Sequence, residues 1–124
     1  MASADPPSTP LPPRAAERLA DTMFALAAPS RLQILACLGD GPLTVSQIIQ
    51  AVGMEQSAVS HQLRVLREHA IVTVERRGRE RLYALRDPHV AALLEHGQRH
   101  VLAVEGGDPE AERRRAGRRS RAAS

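Results

Sequence analysis

Residues 44–68, TVSQIIQAVGMEQSAVSHQLRVLRE, decide the fold of this 124-residue chain. Thr44 and Gln47 have the spacing of a capping box, in which each side chain bonds the other residue's backbone, so a helix is expected to begin there. Gly53 predicts its end, because glycine readily adopts the left-handed conformation that stops helices. A second helix is expected from about Glu55 to Glu68, with Val59, Leu63 and Leu66 on one apolar face.

The opposite face of the second helix is polar. It consists of side chains that form hydrogen bonds, namely Gln56, Ser57, Ser60, His61, Gln62 and Arg64. Two helices joined around a glycine, the second with such a face, are typical of a helix-turn-helix, whose second helix enters the DNA major groove. Base edges are distinguished there by their donors and acceptors, so all but Arg64 are predicted base contacts. Arg64 is expected to contact a phosphate.

A basic β-hairpin is expected directly after these helices. Ile71–Val74 and Leu82–Leu85 are rich in β-formers and predict two short strands. The residues between them, Glu75–Arg81, are expected to form an arginine-rich loop. At its tip, Arg77 and Arg79 are predicted to reach a minor groove or its phosphates.

The positive charge of the chain is unevenly distributed. All 17 basic side chains are Arg, and the formal net charge is +3. Residues 14–54 carry equal numbers of acidic and basic side chains, whereas residues 55–86 hold seven Arg and four Glu. A polar helix face alone is also typical of an ordinary surface helix. The helix pair, the hairpin and the local positive charge together favour binding to DNA.

Three more helices complete the expected fold, which is mainly α with a small β-hairpin. Apolar spacing predicts a helix over Arg14–Leu26, and an apolar run predicts a buried helix over Ser30–Leu38. Asp87 and Pro88 are typical of an N-cap and a first helical residue, so a last helix is expected to run from there to about Val104.

The expected folded domain is residues 14–105. Residues 1–13 hold five of the nine prolines and are expected to form a disordered leader. Residues 106–124 contain six arginines and are expected to form a basic disordered tail.

Several classes of protein are excluded or disfavoured. The single Cys37 excludes an intramolecular disulfide and a multi-cysteine zinc site, and it is expected in the core because unpaired Cys is usually buried. The sequence shows neither a signal peptide nor an apolar run of membrane-spanning length, so we expect a cytoplasmic, nucleoid-associated protein. It shows no nucleophile–base pairing and no phosphate-binding glycine loop, so no enzymatic activity is expected.

Three stretches resemble the ArsR/SmtB family of bacterial metal-sensing repressors, in its nickel-, cobalt- and zinc-sensing branch. They are APSRLQIL at 28–35, QSAVSHQLRVLR at 56–67 and LYAL at 82–85, and the resemblance covers about residues 14–104. It implies a winged helix-turn-helix fold and a homodimer paired through the first and last helices. It also implies binding to a palindromic operator, usually reversed when a metal binds.

The resemblance further implies metal ligands. The soft-metal Cys-x-Cys site of the family falls on Thr44 and Ser46, so no thiolate site is expected. The nickel, cobalt and zinc site falls in the last helix, on Asp87, His89 and His100. Its fourth ligand position falls on Ala103, which cannot bind metal.

Helix geometry constrains any such site. His89 and His100 share a face but lie about 16 Å apart along the axis, while a metal–nitrogen bond is about 2 Å. Only an antiparallel partner helix would combine Asp87 and His89 with His100 of the partner subunit. His96, Glu105 or water would supply the fourth ligand, and nitrogen and oxygen donors suit Ni, Zn or Co. Alternatively, these histidines are solvated or pack in the dimer seam.

Three hypotheses of function follow. The first is a metal-responsive repressor that binds operator DNA as a homodimer. The second keeps the DNA reader but passes control to a protein co-regulator, and includes an activator. The third is an interaction or metal-buffering module without DNA binding, which the intact polar face of residues 56–64 disfavours.

Overall fold

The computed structural model describes residues 9–106, 113–114 and 117. Its elements follow one another as α1 (Pro13–Leu26), α2 (Pro29–Cys37), a 3-10 turn (Leu38–Asp40), β1 (Leu43–Thr44), α3 (Val45–Val52), α4 (Gln56–Glu68), β2 (Val72–Arg77), β3 (Glu80–Leu85) and α5 (Pro88–Glu105). The chain divides into two compact units, Met1–Arg86 and Asp87–Ser124. The expectation of a mainly α fold with a small β-hairpin is confirmed, and β1 joins the hairpin as a third strand.

The helix-turn-helix forms as its sequence predicts. The Thr44 side chain accepts a hydrogen bond from the Gln47 backbone N–H at 3.2 Å, and Gln47 Oε1 accepts one from the Thr44 N–H at 2.9 Å. Two backbone donors that a helix N-terminus leaves unpaired are thereby satisfied. Gly53 ends α3 in the left-handed conformation, with φ +70°. The two helices are therefore separated by only three residues, 53–55.

The core of the first unit lies beneath α4. Three residues spaced along α4 are almost completely buried, Val59, Leu63 and Leu66. Further buried side chains of the first unit complete this core, chiefly Ile34, Leu35, Leu38, Ile48, Ile71 and Val72. The apolar stripe of α4 thus fixes the helix on its own domain, and the polar face is left outside.

The hairpin is longer than expected. The residues 75–81 do not form a loop; β2 and β3 stay paired up to Arg77 opposite Glu80, so the turn has only two residues, Gly78 and Arg79. Gly78 has φ +61°, a conformation that favours glycine in such tight turns. The strands extend past their apolar part because their pairing uses backbone groups, which charged side chains exposed to solvent at the tip do not obstruct.

The hairpin formed by β2 and β3 is the wing of the fold, and a third strand joins it to the helix-turn-helix. β1 pairs with β3 in antiparallel register, Leu43 opposite Tyr83 and Thr44 opposite Leu82. The strand β1 is not apparent from the sequence, because two residues are too few to show an alternating pattern. Thr44 is both a strand partner of Leu82 and the N-cap of α3, so the wing and the helix-turn-helix are connected directly.

Helix α2 is less buried than expected. Ile34 and Leu35 are fully buried, but Leu32 is 40% exposed and Cys37 is only half-buried. The helix is therefore covered on one side, and Cys37 lies at the margin of the core instead of within it. Within residues 9–106, 113–114 and 117, no single helix has the length and apolar character to cross a membrane, although the bent pair Pro13–Leu26 and Pro29–Asp40 passes on length and composition alone.

The second unit contains α5, which begins as expected. Asp87 Oδ1 accepts hydrogen bonds from the backbone N–H groups of His89 and Val90, at 2.9 and 3.2 Å, and Pro88 is the first helical residue. None of the 18 residues of α5 is buried. The expected leader, residues 1–13, and the expected tail, residues 106–124, lie largely outside the described residues.

Candidate DNA-reading surface and metal ligands

The polar face of α4 is solvent-exposed along the first three turns. Five of its six side chains are exposed, Gln56, Ser57, Ser60, His61 and Arg64. In the described part of the chain none of these five side chains forms a hydrogen bond or an ion pair with the protein. Their donors and acceptors are therefore free, and the buried stripe on the other side of α4 holds their positions.

Gln62 differs from its neighbours on α4. It is only partly exposed, and its Oε1 accepts a hydrogen bond from Arg31 Nε at 2.8 Å. The sequence grouped Gln62 with the base contacts, and nothing in a single sequence points to a partner 31 residues away. The structure thus places five of the six predicted α4 residues on one open surface, whereas the sixth, Gln62, is hydrogen-bonded to Arg31.

The wing carries an unusual pair of like charges. Arg76 on β2 lies directly opposite Arg81 on β3, whereas Arg77 lies opposite Glu80. Directly opposed like charges destabilise a hairpin by a fraction of a kcal/mol to about 1 kcal/mol. Neither wing arginine forms a salt bridge with an acidic side chain in the part of the chain that the structure describes. An external anion would relieve their repulsion.

Arg76 and Arg81 were not singled out from the sequence. The sequence predicts a loop over residues 75–81, in which Arg77 and Arg79 are distinguished by their position at the tip. Once the strands are extended, side chains alternate between two faces, and Arg76 shares a face with Val72 and Val74. This alternation with a period of two continues from the apolar residues into the arginines. It is the sequence signal that could have identified Arg76 and its partner Arg81.

The predicted metal ligands lie on α5. His89, His96 and His100 are all exposed and, at spacings of seven and four residues, share one face of the helix. Asp87 uses Oδ1 to cap the helix, which leaves Oδ2 outside these two bonds. Among the described residues no three His, Cys, Asp or Glu side chains lie close enough to hold a metal ion together. The donors suit nickel, zinc or cobalt, but one chain does not assemble them.

The lone cysteine is not arranged as a ligand. Cys37 Sγ donates a hydrogen bond to the Ile34 carbonyl oxygen at 3.0 Å. Burial raises the pKa of the Cys37 thiol above its ordinary value, and the backbone hydrogen bond only partly offsets this. The thiolate, the form that binds metal, is therefore disfavoured at neutral pH.

The family model described as "Bacterial regulatory protein, arsR family" matches residues 28–74, which include α2, the helix-turn-helix and the start of the wing. The transcriptional regulator NmtR of Mycobacterium tuberculosis is 54% identical over 94 residues, covering 76% of this chain and 78% of its own. The chain belongs to the arsR family. A protein of Synechocystis described as a transcriptional repressor SmtB homolog is 40% identical over 86 residues, covering 69% of this chain and 65% of its own.

Solved structures agree with this arsR-family assignment. The solution structure of apo-NmtR has a TM-score of 0.63 and 51% identity, and covers 81% of this chain and 84% of its own. A homodimeric winged helix-turn-helix DNA-binding domain from Mycobacterium bovis has a TM-score of 0.66 and 31% identity, and covers 80% of this chain and 93% of its own. The fold is a winged helix-turn-helix, and the chain is a DNA-binding transcriptional regulator, not an enzyme.

Proposed function

We propose that this arsR-family protein is a metal-responsive repressor that binds a palindromic operator as a homodimer. The observation that carries the proposal is the α4 surface, five exposed hydrogen-bonding side chains without partners in the described chain, held above a fully buried apolar stripe. Gln56, Ser57, Ser60 and His61 would contact base edges, and Arg64 a phosphate. Such a regulator would act in the cytoplasm, where bacterial DNA lies.

The wing would supply phosphate or minor-groove contacts. Arg77 and Arg79 remain proposed contacts, and the opposed pair Arg76 and Arg81 is added to them. A DNA phosphate placed between two guanidinium groups would replace their repulsion with two charge-assisted hydrogen bonds. The wing therefore adds affinity and orientation, while α4 supplies the discrimination between bases.

The dimer is supported by apolar side chains that the single chain leaves exposed. On α1, Leu19 is 46% exposed and Phe24, the only phenylalanine of the chain, is 78% exposed. On α5, Val101 and Leu102 are 50% and 64% exposed. Exposed apolar surface of this kind marks an interaction site, and the structurally similar Mycobacterium bovis domain is homodimeric.

The metal would be held between two α5 helices. Asp87 and His89 of one protomer would meet His100 of the partner subunit, giving two equivalent sites per dimer. His96 is the proposed fourth ligand, and nickel, zinc or cobalt the proposed metal. A bound ion would fix the arrangement of the two protomers and so change their affinity for the operator.

A second candidate keeps the DNA reader and passes control to a protein co-regulator. Ala103 favours it, because an apolar residue occupies the position where the resemblance places the fourth metal ligand. In that case metal would bind weakly or not at all, and the DNA-reading surface would be unchanged. Comparison of metal binding with the effect of metal on DNA affinity separates the two candidates.

The DNA-reading proposal is tested by selecting a duplex from random DNA with the unaltered protein and measuring its affinity by fluorescence anisotropy. Arg81→Ala should weaken binding to the selected and to a scrambled duplex by a similar factor and reduce the salt dependence by about one phosphate contact. Arg99→Ala, which removes the same charge from α5, is the matched control and should leave both affinities unchanged. Failure to recover any preferred duplex would contradict the proposal.

A further inference from the structure

Arg31 joins three helices through hydrogen bonds. From its place in the first turn of α2, its Nη1 donates to the carbonyl oxygens of Ala25 at 2.8 Å and Phe24 at 3.4 Å, at the end of α1. Its Nε donates to Gln62 Oε1 on α4 at 2.8 Å. One guanidinium group thus links the C-terminal end of α1 to the second turn of α4.

At this end of α1 the backbone N–H groups of Ala27 and Ala28 bond the carbonyl oxygens of Phe24 and Leu26, so the Ala25 carbonyl is the one that depends on Arg31. The last four carbonyls of a helix have no partner within it, and a positive charge there also interacts favourably with the helix dipole. Helix α1 has no basic residue in its own last turn. Arg31 supplies both the donor and the charge from a neighbouring helix, so its position is set by α1.

The same contact limits what Gln62 does. A glutamine that recognises adenine uses both ends of its amide, accepting from N6 with Oε1 and donating to N7 with Nε2. Gln62 Oε1 is bonded to a charged donor, and the residue is partly buried, while His61 beside it is exposed. The amide of Gln62 is therefore oriented towards Arg31, unlike those of the open α4 surface.

We propose that Arg31 and Gln62 form a strut through which α1 sets the orientation of α4, so that Gln62 is a positioning residue for DNA recognition and not a base contact. The proposal rests on the proposed function, because α1 carries exposed apolar residues assigned to the dimer and α4 reads DNA. The buried stripe keeps α4 on its domain, and breaking the strut loosens only the orientation of α4 relative to α1. The two α4 helices of a dimer then engage their half-sites at a less fixed spacing.

The test compares Arg31→Met, Gln62→Met and the double variant on three duplexes: the selected palindrome, one half-site, and the palindrome with one base pair inserted at its centre. Each single variant should bind the palindrome about tenfold more weakly, as expected for loss of a charge-assisted hydrogen bond. Binding to the half-site should change less than twofold, and the penalty for the inserted base pair should shrink. The double variant should be no weaker than Arg31→Met, because both changes remove one link.

Two controls keep the proposal open to contradiction. Gln62→Glu retains an acceptor for Arg31, and its tolerance of the inserted base pair should remain that of the unaltered protein. If Arg31→Met does not fold, Gln62→Met alone serves, since Arg31 then still bonds the end of α1. A Gln62→Met protein that loses discrimination at one base pair of the half-site would overturn the strut and identify Gln62 as a base contact.

A measurement without DNA separates failure of the strut from failure of the proposed function. In urea unfolding of the same variants, the effects of Arg31→Met and Gln62→Met should be less than additive. Additive effects would contradict the strut even if the protein binds DNA as proposed. If the unaltered protein preferred no duplex, the proposed function would be contradicted. The unfolding result alone would then decide whether Arg31 and Gln62 are coupled.

Discussion

Helices α4 and α5 share an amphipathic pattern but lie in opposite environments. Both are amphipathic and carry histidine on a polar face, yet α4 has three residues with exposed fractions of 0–1% and α5 has no buried residue. The position of α4 is thus determined within its own domain, which suits side chains that read DNA. The apolar side chains of α5 have no such cover, which suits a helix whose partner is a second copy of the chain.

The largest effect is expected from truncation of a buried side chain of α4. Leu63→Ala should lower the free energy of unfolding by about 2–5 kcal/mol at any protein concentration, because it leaves a cavity beneath α4. Leu102→Ala on α5 is the matched variant, since Leu102 is 64% exposed. Its effect in urea unfolding should depend on protein concentration and vanish where the dimer dissociates. A loss for Leu102→Ala that is independent of concentration would contradict the assignment of α5 to the dimer.

The histidines of the two helices provide the next comparison. His61→Ala should weaken binding to the selected duplex by about 1–3 kcal/mol without weakening binding to a scrambled duplex, because it removes a base contact. His96→Ala should leave metal-free DNA binding unchanged. Anisotropy titrations measure both, and equal losses on the two duplexes for His61→Ala would argue against base reading.

A smaller effect is expected at the end of α4. Ala70 has φ +57°, a left-handed conformation that costs a residue with a side chain about 1–2 kcal/mol. Ala70→Gly should relieve this strain but gain freedom in the unfolded chain, for a net stabilisation of up to about 1 kcal/mol. Thermal unfolding measures it, with Ala58→Gly inside α4 as a control that should destabilise. Destabilisation by Ala70→Gly would contradict the strain.

The smallest effect concerns Cys37 on α2. Its raised pKa means less thiolate in the folded protein at a given pH, so alkylation by iodoacetamide at about pH 8 should be slower in the native than in the urea-unfolded chain. For the same reason, protonation of the Cys37 thiol stabilises the folded protein when the pH is below the pKa of this thiol in the unfolded chain. This contribution is lost as the pH rises through the pKa of the thiol in the folded protein. Equal alkylation rates would show that Cys37 is not protected.

The sequence predicted local features well and long-range contacts poorly. The capping box at Thr44, the stop at Gly53 and the buried stripe of α4 follow from residues a few positions apart, and all are confirmed. The strand β1 and the Arg76–Arg81 pair depend on register between distant segments. The bond between Arg31 and Gln62 spans 31 residues and has no local pattern. The metal ligands on α5 remain a prediction, because their assembly requires a second chain.

The most direct test is an anisotropy titration of the selected palindrome with and without nickel or zinc, repeated with His100→Ala. The unaltered dimer should bind the palindrome in preference to a scrambled duplex, and metal should weaken that binding by about 5–150-fold. His100→Ala should retain the metal-free affinity and lose the response to metal. Metal-independent affinity of the unaltered protein would contradict the metal-responsive repressor, and equal affinity for both duplexes would contradict the DNA reader itself.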